Sequence, residues 1–258
     1  MTLDTDFHSH VAKSSAAQMA RSAQNKGLRV LGLSEHIFQM VEARPLLEHM
    51  PLEGPLRPFA SYVEAVHKAS QDGQIDVRLG LEVDFIPEHM AAIYAALQEY
   101  PWDFLIGSVH EIAGSLFENG QVQSREQGEA LWQEYFQLLR AAVNSGLFNV
   151  VSHPVRMRAT NAYLPATFNS ELEHLAAEAA RRDVALEING YDTLSYPDVV
   201  RRLAQACAQQ GTAISVGSDA HYPHQLAQAH TQTAALLRGV GINKVRIWKQ
   251  RVAEDYEF

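Results

Sequence analysis

The chain has 258 residues, 47% hydrophobic and 20% charged, with a formal net charge of −9; that length suits one large α/β domain, since barrels of this class run to roughly 250 residues as a unit. The acidic balance argues against a nucleic-acid partner, because binding a phosphate backbone takes a basic stripe. No stretch approaches the ~20 apolar residues that span a bilayer, so no membrane partner is expected.

From the start, Met1 to Asp6 offer neither a basic n-region nor an apolar h-region, and no export signal is expected. Seven short runs rich in Val, Ile and Leu then alternate with longer segments of helical period, the sequence form of repeated βα units. Leu3 to Phe7 is the first run, followed by a helix over Ser14 to Asn25. Arg29 to Ser34 is the second, and after it 39–57, with Pro45, Pro51 and Pro55, has no clear period and reads as a loop over the mouth of the fold. A helix over Phe59 to Gln71 leads to the third run, Asp76 to Val83, and a helix over Glu88 to Glu99 to the fourth, Phe104 to Val109. Helices over Arg125 to Asn144, Asn169 to Arg182 and Asp198 to Gln210 separate the last three runs, Phe148 to Ser152, Val184 to Ile188 and Thr212 to Gly217. A final helix is expected near Gln225 to Arg238. Gly27, Gly146 and Gly211 stand just past polar last turns, as helix C-caps require. Basic clusters at Arg181-Arg182, Arg201-Arg202 and Lys244 to Arg251 read as solvated helix faces. Cys207 has no partner for an internal disulfide. In its helix-like Ala/Gln stretch it reads as a buried or half-buried thiol in a reducing cytoplasm. No internal repeat or linker interrupts the chain, and 1–258 reads as a single domain.

Twelve histidines are present, and six of them, His8, His10, His36, His110, His153 and His221, stand where an apolar run stops. Glu82 and Asp219 occupy similar run ends. Parallel strands closed into a barrel bring their carboxyl ends to one face, so residues far apart in sequence can share a pocket there. His8 and His10 flank one residue of extended chain and point to the same side, within reach of one ion. Glu82 lies inside an otherwise apolar run, where a carboxylate must be paired or metal-bound to offset its desolvation; the alternative is a buried salt bridge. Gly217-Ser218-Asp219-Ala220-His221 is the most specific local string, while Ser34-Glu35-His36 alone is weak. Glu187 and Asn189 could support the ligands or join them. His49, His67, His89, His174, His224 and His230 fall in helical or loop segments and read as surface or supporting residues. The inventory of nitrogen and oxygen donors suffices for more than one metal ion and predicts a metal-dependent hydrolase. There is no phosphate-binding glycine loop, no zinc-protease histidine pair on a helix and no serine nucleophile elbow.

Together the strings DFHSH, GLSEHIF, GLEVDF, IGSVHEI, VSHPVR, LEING and VGSDAH resemble, in order and spacing, the polymerase-and-histidinol-phosphatase (PHP) superfamily, with the closest match to its stand-alone phosphatases. The resemblance covers nearly the whole chain. It implies a distorted, TIM-like (β/α)7 barrel with two or three divalent ions, commonly Zn, Mn or Fe, at the carboxyl ends of the strands. By motif, His8, His10, Glu82 and Asp219 would hold one ion; Glu82 would bridge to a second held by His110 and His153, and a third would use His36 and His221. Two stretches depart from the family pattern. Another His or Asp usually follows the first pair by about half a dozen residues; here 11–16 read Val-Ala-Lys-Ser-Ser-Ala, which leaves a third site weak, completed by water, or empty. In addition, 189–194 lack the basic residues that many such phosphatases carry.

Charge arithmetic favours a phosphate substrate independently. Two divalent ions bring about +4 and two carboxylate ligands about −2, with imidazoles binding neutral, so the site stays cationic. The expected activity is hydrolysis of a small phosphomonoester, histidinol phosphate first, by in-line attack of a metal-bridging hydroxide. Arg156 and Arg158 are candidates for a fork around the phosphate oxygens, and Asp219 or His221 could donate the proton to the leaving alcohol. Competing readings are a related phosphoesterase acting on nucleotides or nucleic-acid ends, and a non-catalytic metal-binding regulatory protein.

Overall fold

The computed structural model describes residues 2–117 and 120–258. In chain order the elements are β1 (Thr5–Asp6), α1 (Ala16–Asn25), β2 (Val30–His36), α2 (Phe59–Asp72), β3 (Asp76–Asp84), α3 (Met90–Leu97), β4 (Phe104–Ser108), β5 (Glu111–Ile112) and β6 (Ser115–Leu116). There follow α4 (Arg125–Asn144), β7 (Val150–Val151), α5 (Phe168–Arg182), β8 (Ala185–Asn189), α6 (Gly190–Ser195), α7 (Pro197–Gln210), β9 (Ile214–Gly217), α8 (His230–Gly239), β10 (Lys244–Lys249) and β11 (Val252–Glu257).

The seven expected runs become seven parallel strands in the order β1-β2-β3-β4-β7-β8-β9. The outer two then meet: Phe7 N–H donates to Val216 O at 3.0 Å, Asp219 N–H to His8 O at 2.8 Å, and His10 N–H to Ala220 O at 2.8 Å. These bonds nearly close the sheet into the seven-stranded barrel expected from the βα alternation. Every strand runs the same way, so all carboxyl ends open on one face.

Each helix lays an apolar stripe on the barrel. In α1, Ala16, Met19, Ala20 and Ala23 are buried, and the Ser15 hydroxyl accepts from Gln18 N–H as N-cap. Gly27, Gly146 and Gly211 do sit at positive φ just past their helices. Inside the barrel, Phe7, Val30, Phe104, Ile106 and Val150 form a separate cluster. Gly80 makes room for it: a Cβ there would fall 2.2 Å from the Phe104 ring.

The C-terminal basic stretch corrects one expectation. Lys244 to Arg251 is no helix face but β10 and the turn of an antiparallel hairpin completed by β11. Trp248 inserts from it into the barrel cluster, 6.1 Å from the Phe7 ring centre. Alternating Val245, Ile247 and charged residues made strand the better period. Two expected helices are also shorter. The one over 88–99 starts as a 3-10 turn at Pro87–His89 before α3. The last breaks after the 3-10 turn Pro223–Gln225, where Ala227 takes a φ of 57°, and resumes at His230. The small hairpin β5–β6 and the short helix α6 carry no long period and escaped the sequence reading. Cys207 is fully buried in α7. No described helix is long and apolar enough to cross a membrane.

Candidate metal centre

The strand ends place their polar residues in one cluster. His36 is the last residue of β2, Glu82 and Asp84 end β3, and Ser108 ends β4 with His110 two residues on. His8 and His10 follow β1, His153 follows β7, Glu187 and Asn189 end β8, and Asp219 and His221 follow β9. His153 and Asp219 take φ values of 29° and 57°, conformations that cost non-glycine residues energy and tend to mark functional positions. At Gly217 a side chain is impossible, since a Cβ would lie 2.2 Å from the Cβ of His8. That close approach lets β1 and β9 present their ligand candidates side by side.

Glu82 is the hub. Its Oε1 lies 3.2 Å from His8 Nε2, 3.2 Å from His153 Nε2 and 3.6 Å from His110 Nε2. Its Oε2 lies 2.6 Å from His36 Nδ1 and 3.7 Å from His10 Nε2. Asp219 Oδ1 is 3.1 Å from His10 Nε2 and 3.7 Å from His8 Nε2. Three groups have ligand atoms all within 4.8 Å of one another: His8, His10 and Glu82; Glu82, His110 and His153; and His10, His36 and His221. Each is compact enough to hold one cation, and Glu82 is common to two of them.

Three carboxylates stand behind the histidines. Glu187 Oε1 is 2.8 Å from His8 Nδ1, Glu35 Oε1 is 3.5 Å from His10 Nδ1, and Asp84 Oδ1 is 2.6 Å from His110 Nδ1. Such partners fix the tautomer and turn the other nitrogen inward, as around metal-bound imidazoles. Glu187 was singled out from sequence; Asp84 and Glu35, adjacent to stronger candidates in GLEVDF and GLSEHIF, were passed over. The alternation in β3, which puts Asp84 on the side of Glu82, was the available signal.

Acidic and basic groups in this buried cluster shift one another. Burial opposes charge on His8, but Glu187, Glu82 and Asp219 outweigh it and raise its pKa well above the ordinary imidazole value. His10 is likewise buried, yet its bonds to Asp219 and Glu35 push it up to about 10. Burial and the neighbouring His10 lower His36. Glu82 and Asp219 are held well below the usual carboxylate range: burial would raise both, but His8 foremost and the other basic groups around them prevail. His8 Nε2, His36 Nδ1 and Glu82 Oε2 are buried and, though close to one another's side chains, make no aligned hydrogen bond. Such orphaned donor atoms converging on one point are what a divalent cation would satisfy, displacing the protons.

A pocket of about 150 Å³ opens on the cluster, lined by His36, Glu82, His110, Asp219, His221 and Arg156 together with Phe38 and, from the proline-containing loop, Met50, Pro51 and Glu53. Arg156 Nε donates to Asp192 Oδ1 at 2.8 Å and its Nη2 to Asp219 Oδ2 at 2.7 Å. Despite its burial, these two acids raise its pKa well above the ordinary value. Arg158, its expected partner in a phosphate fork, is elsewhere: its guanidinium sits 5.3 Å over the Tyr196 ring and does not line the pocket. Residues 156–159 form a 3-10 turn, in which side chains two apart diverge. Of the six other histidines, His49, His67, His174 and His224 are exposed and His89 is half-buried. His230, read as surface or supporting, is not at the surface: it is buried, and its Nε2 bonds Thr5 O at 2.9 Å.

Comparison with known proteins follows the same lines. A family model described as the PHP domain matches residues 3–190. A protein named probable histidinol-phosphatase from Deinococcus radiodurans is 28% identical, over 93% of this chain and 95% of that one. A second of that name, from Schizosaccharomyces pombe, is 23% identical over 91% of this chain and 84% of its own. In structure, the chain resembles the histidinol phosphate phosphatase of Lactococcus lactis, solved with Zn, L-histidinol and phosphate, with a TM-score of 0.78 at 20% identity over 98% of both chains.

Proposed function

Because this chain belongs to the PHP family, whose model matches residues 3–190, we propose that it is a metal-dependent phosphomonoesterase that hydrolyses L-histidinol phosphate to L-histidinol and phosphate in histidine biosynthesis. The observation that carries this reading is the convergence of six imidazoles, Glu82 and Asp219 on a small pocket that also holds the Arg156 guanidinium. The two relatives' shared name supplies the substrate.

We assign His8, His10, Glu82 and Asp219 to one cation, Glu82, His110 and His153 to a second, and His36 and His221 to a third. With nitrogen and carboxylate donors, Zn, Mn and Fe all suit such sites. When bound, the ions lower the pKa of water and offset the charge that develops on phosphoryl oxygens. The protein does the rest. Glu187, Glu35 and Asp84 orient the imidazoles, and Asp192 and Asp219 hold Arg156 at the pocket wall, where its guanidinium would steady the non-bridging phosphate oxygens. Phe38 and the loop residues Met50 and Pro51 give the pocket an apolar wall that limits water. Asp219 and His221 act as ligands rather than proton donors: Asp219 is engaged by Arg156 and His10, and His221 by Glu53. With a reducing compartment suited to a lone buried thiol, the cytoplasm is the place proposed for this reaction.

The test is phosphate release from L-histidinol phosphate by Mn- or Zn-loaded protein beside a His110→Ala variant. Rapid release that the variant loses supports the reading. A metal-replete protein that spares this substrate but cleaves nucleotides or oligonucleotide ends supports a different PHP phosphoesterase, and metal binding with no turnover on any ester supports a regulatory protein.

A further inference from the structure

The chain just past the first histidine pair, residues 11–16, offers no ligand, but the structure seats another acidic residue against it. Gly54 packs so closely on Ala12 that a Cβ would lie 2.6 Å from the Ala12 carbonyl oxygen. Arg57 Nη2 donates to Val11 O at 3.3 Å, and Arg57 N–H donates to Gln39 O at 3.0 Å, which closes the base of the loop. With its amide oxygen turned toward the loop, Gln39 accepts from the N–H groups of Glu53 at 3.1 Å and Gly54 at 2.9 Å. The 39–57 loop is thus anchored on the segment that follows His10, and the anchor aims one side chain inward.

That side chain is Glu53. Its Oε2 is buried, lies 3.1 Å from His221 Nε2, and makes no aligned hydrogen bond. His221 belongs to the group with His10 and His36, whose ligand nitrogens lie within 4.8 Å of one another. This trio has no carboxylate of its own, whereas each of the other two groups contains Glu82. Neutral imidazoles bring no charge to offset a divalent cation, and a carboxylate 3.1 Å from His221 Nε2 supplies it. Lys13 Nζ, 3.5 Å away, is the other charged group beside Glu53.

We propose that Glu53 is the carboxylate ligand of the third cation, held with His36 and His221 beside His10, and that the 39–57 loop delivers it in place of a ligand from the segment after the first histidine pair. The proposal rests on reading the cluster as a metal centre, and its test separates the two. Wild type, Glu53→Gln, Glu53→Asp and Lys13→Ala are loaded with excess Zn or Mn, desalted, and challenged with a graded chelator, and ions per chain are counted by elemental analysis. Circular dichroism checks each fold. The expected result is three ions in wild type and Lys13→Ala, with one ion held about tenfold or more weakly in Glu53→Gln. Should Glu53→Gln misfold, Glu53→Asp decides, since it keeps the charge but loses reach and should hold one ion more weakly. Two ions in wild type, or equal retention by wild type and the Glu53 variants, overturns the proposal and leaves the metal centre standing. The same loss in Lys13→Ala as in Glu53→Gln would make Glu53 a structural partner of Lys13 and also overturn it. No ion in wild type would bring down the metal centre and this proposal with it.

Discussion

His110 shows what a single residue needs in order to act as a ligand here. Its Nε2 faces Glu82 because Asp84 holds its Nδ1 at 2.6 Å. Without that carboxylate the ring could turn or take the other tautomer. Replacing Asp84 by Asn should therefore weaken metal retention and lower kcat/KM by about 10–100-fold while leaving the circular dichroism spectrum unchanged. Chelator competition and phosphate release measure the two effects, and an unchanged affinity would remove Asp84 from the site. Cys207 tests the opposite case, a residue outside the chemistry. Burial pushes its thiol up to about 12, and only the thiolate reacts readily. Native protein at pH 8 should resist a maleimide that labels the unfolded chain fully; fast native labelling would show that α7 opens.

Elements hold these residues where strand and helix geometry dictates. Gly80, in the middle of β3, packs against the ring of Phe104, its register partner on the neighbouring β4. Gly80→Ala would force that ring or the strand to move, at a cost of about 1–3 kcal/mol in urea unfolding, and β3 carries Glu82 at its end. At the surface, Ser15→Ala removes the N-cap of α1 and should cost about 1 kcal/mol, with no change in activity because the cap faces solvent. The 39–57 loop has no long period, yet it is an element in the functional sense. Pinned by Gly54 and Arg57, it supplies the pocket's apolar wall and Glu53. Its role as a cover over the mouth was visible from its prolines, but the aim of Glu53 was not, because a loop's direction depends on what it packs against.

At the scale of the whole molecule, the barrel's two ends do different work. The carboxyl end gathers the ligands, and the other is closed by the β10–β11 hairpin, whose Trp248 carbonyl accepts from buried Arg78 at 2.8 Å. Asp76 completes this anchor, and its hydrogen bond from Arg78 lowers the carboxylate below its ordinary value of 3.8. A depressed carboxylate adds stability that is complete above the ordinary value and lost as pH falls through the native one. Asp76→Asn should then destabilise the protein at pH 7 by about 1 kcal/mol or less, given its exposure, and the difference from wild type should shrink below pH 3.8. Cation removal acts globally as well. Ligands that bind only the folded state stabilise it by about 2.7 kcal/mol at a concentration one hundred times Kd, so a chelator should lower the unfolding temperature. An unchanged temperature would mean that the cluster binds no ion tightly.

Sequence by itself determined the alternation of seven βα units, the glycine caps and the placement of six histidines, Glu82 and Asp219 at strand ends. These features are local: strand and helix periods and turn residues are written over a few positions each. The tertiary structure alone decided which distant residues meet. Glu82 contacts side chains from four other strand ends only because the barrel nearly closes, and Asp192 reaches Arg156 across 36 positions of sequence. The hairpin that closes the base and the divergence of Arg158 from Arg156 were decided there too, since neither depends on composition but on which surface remained to be covered and how one 3-10 turn is wound.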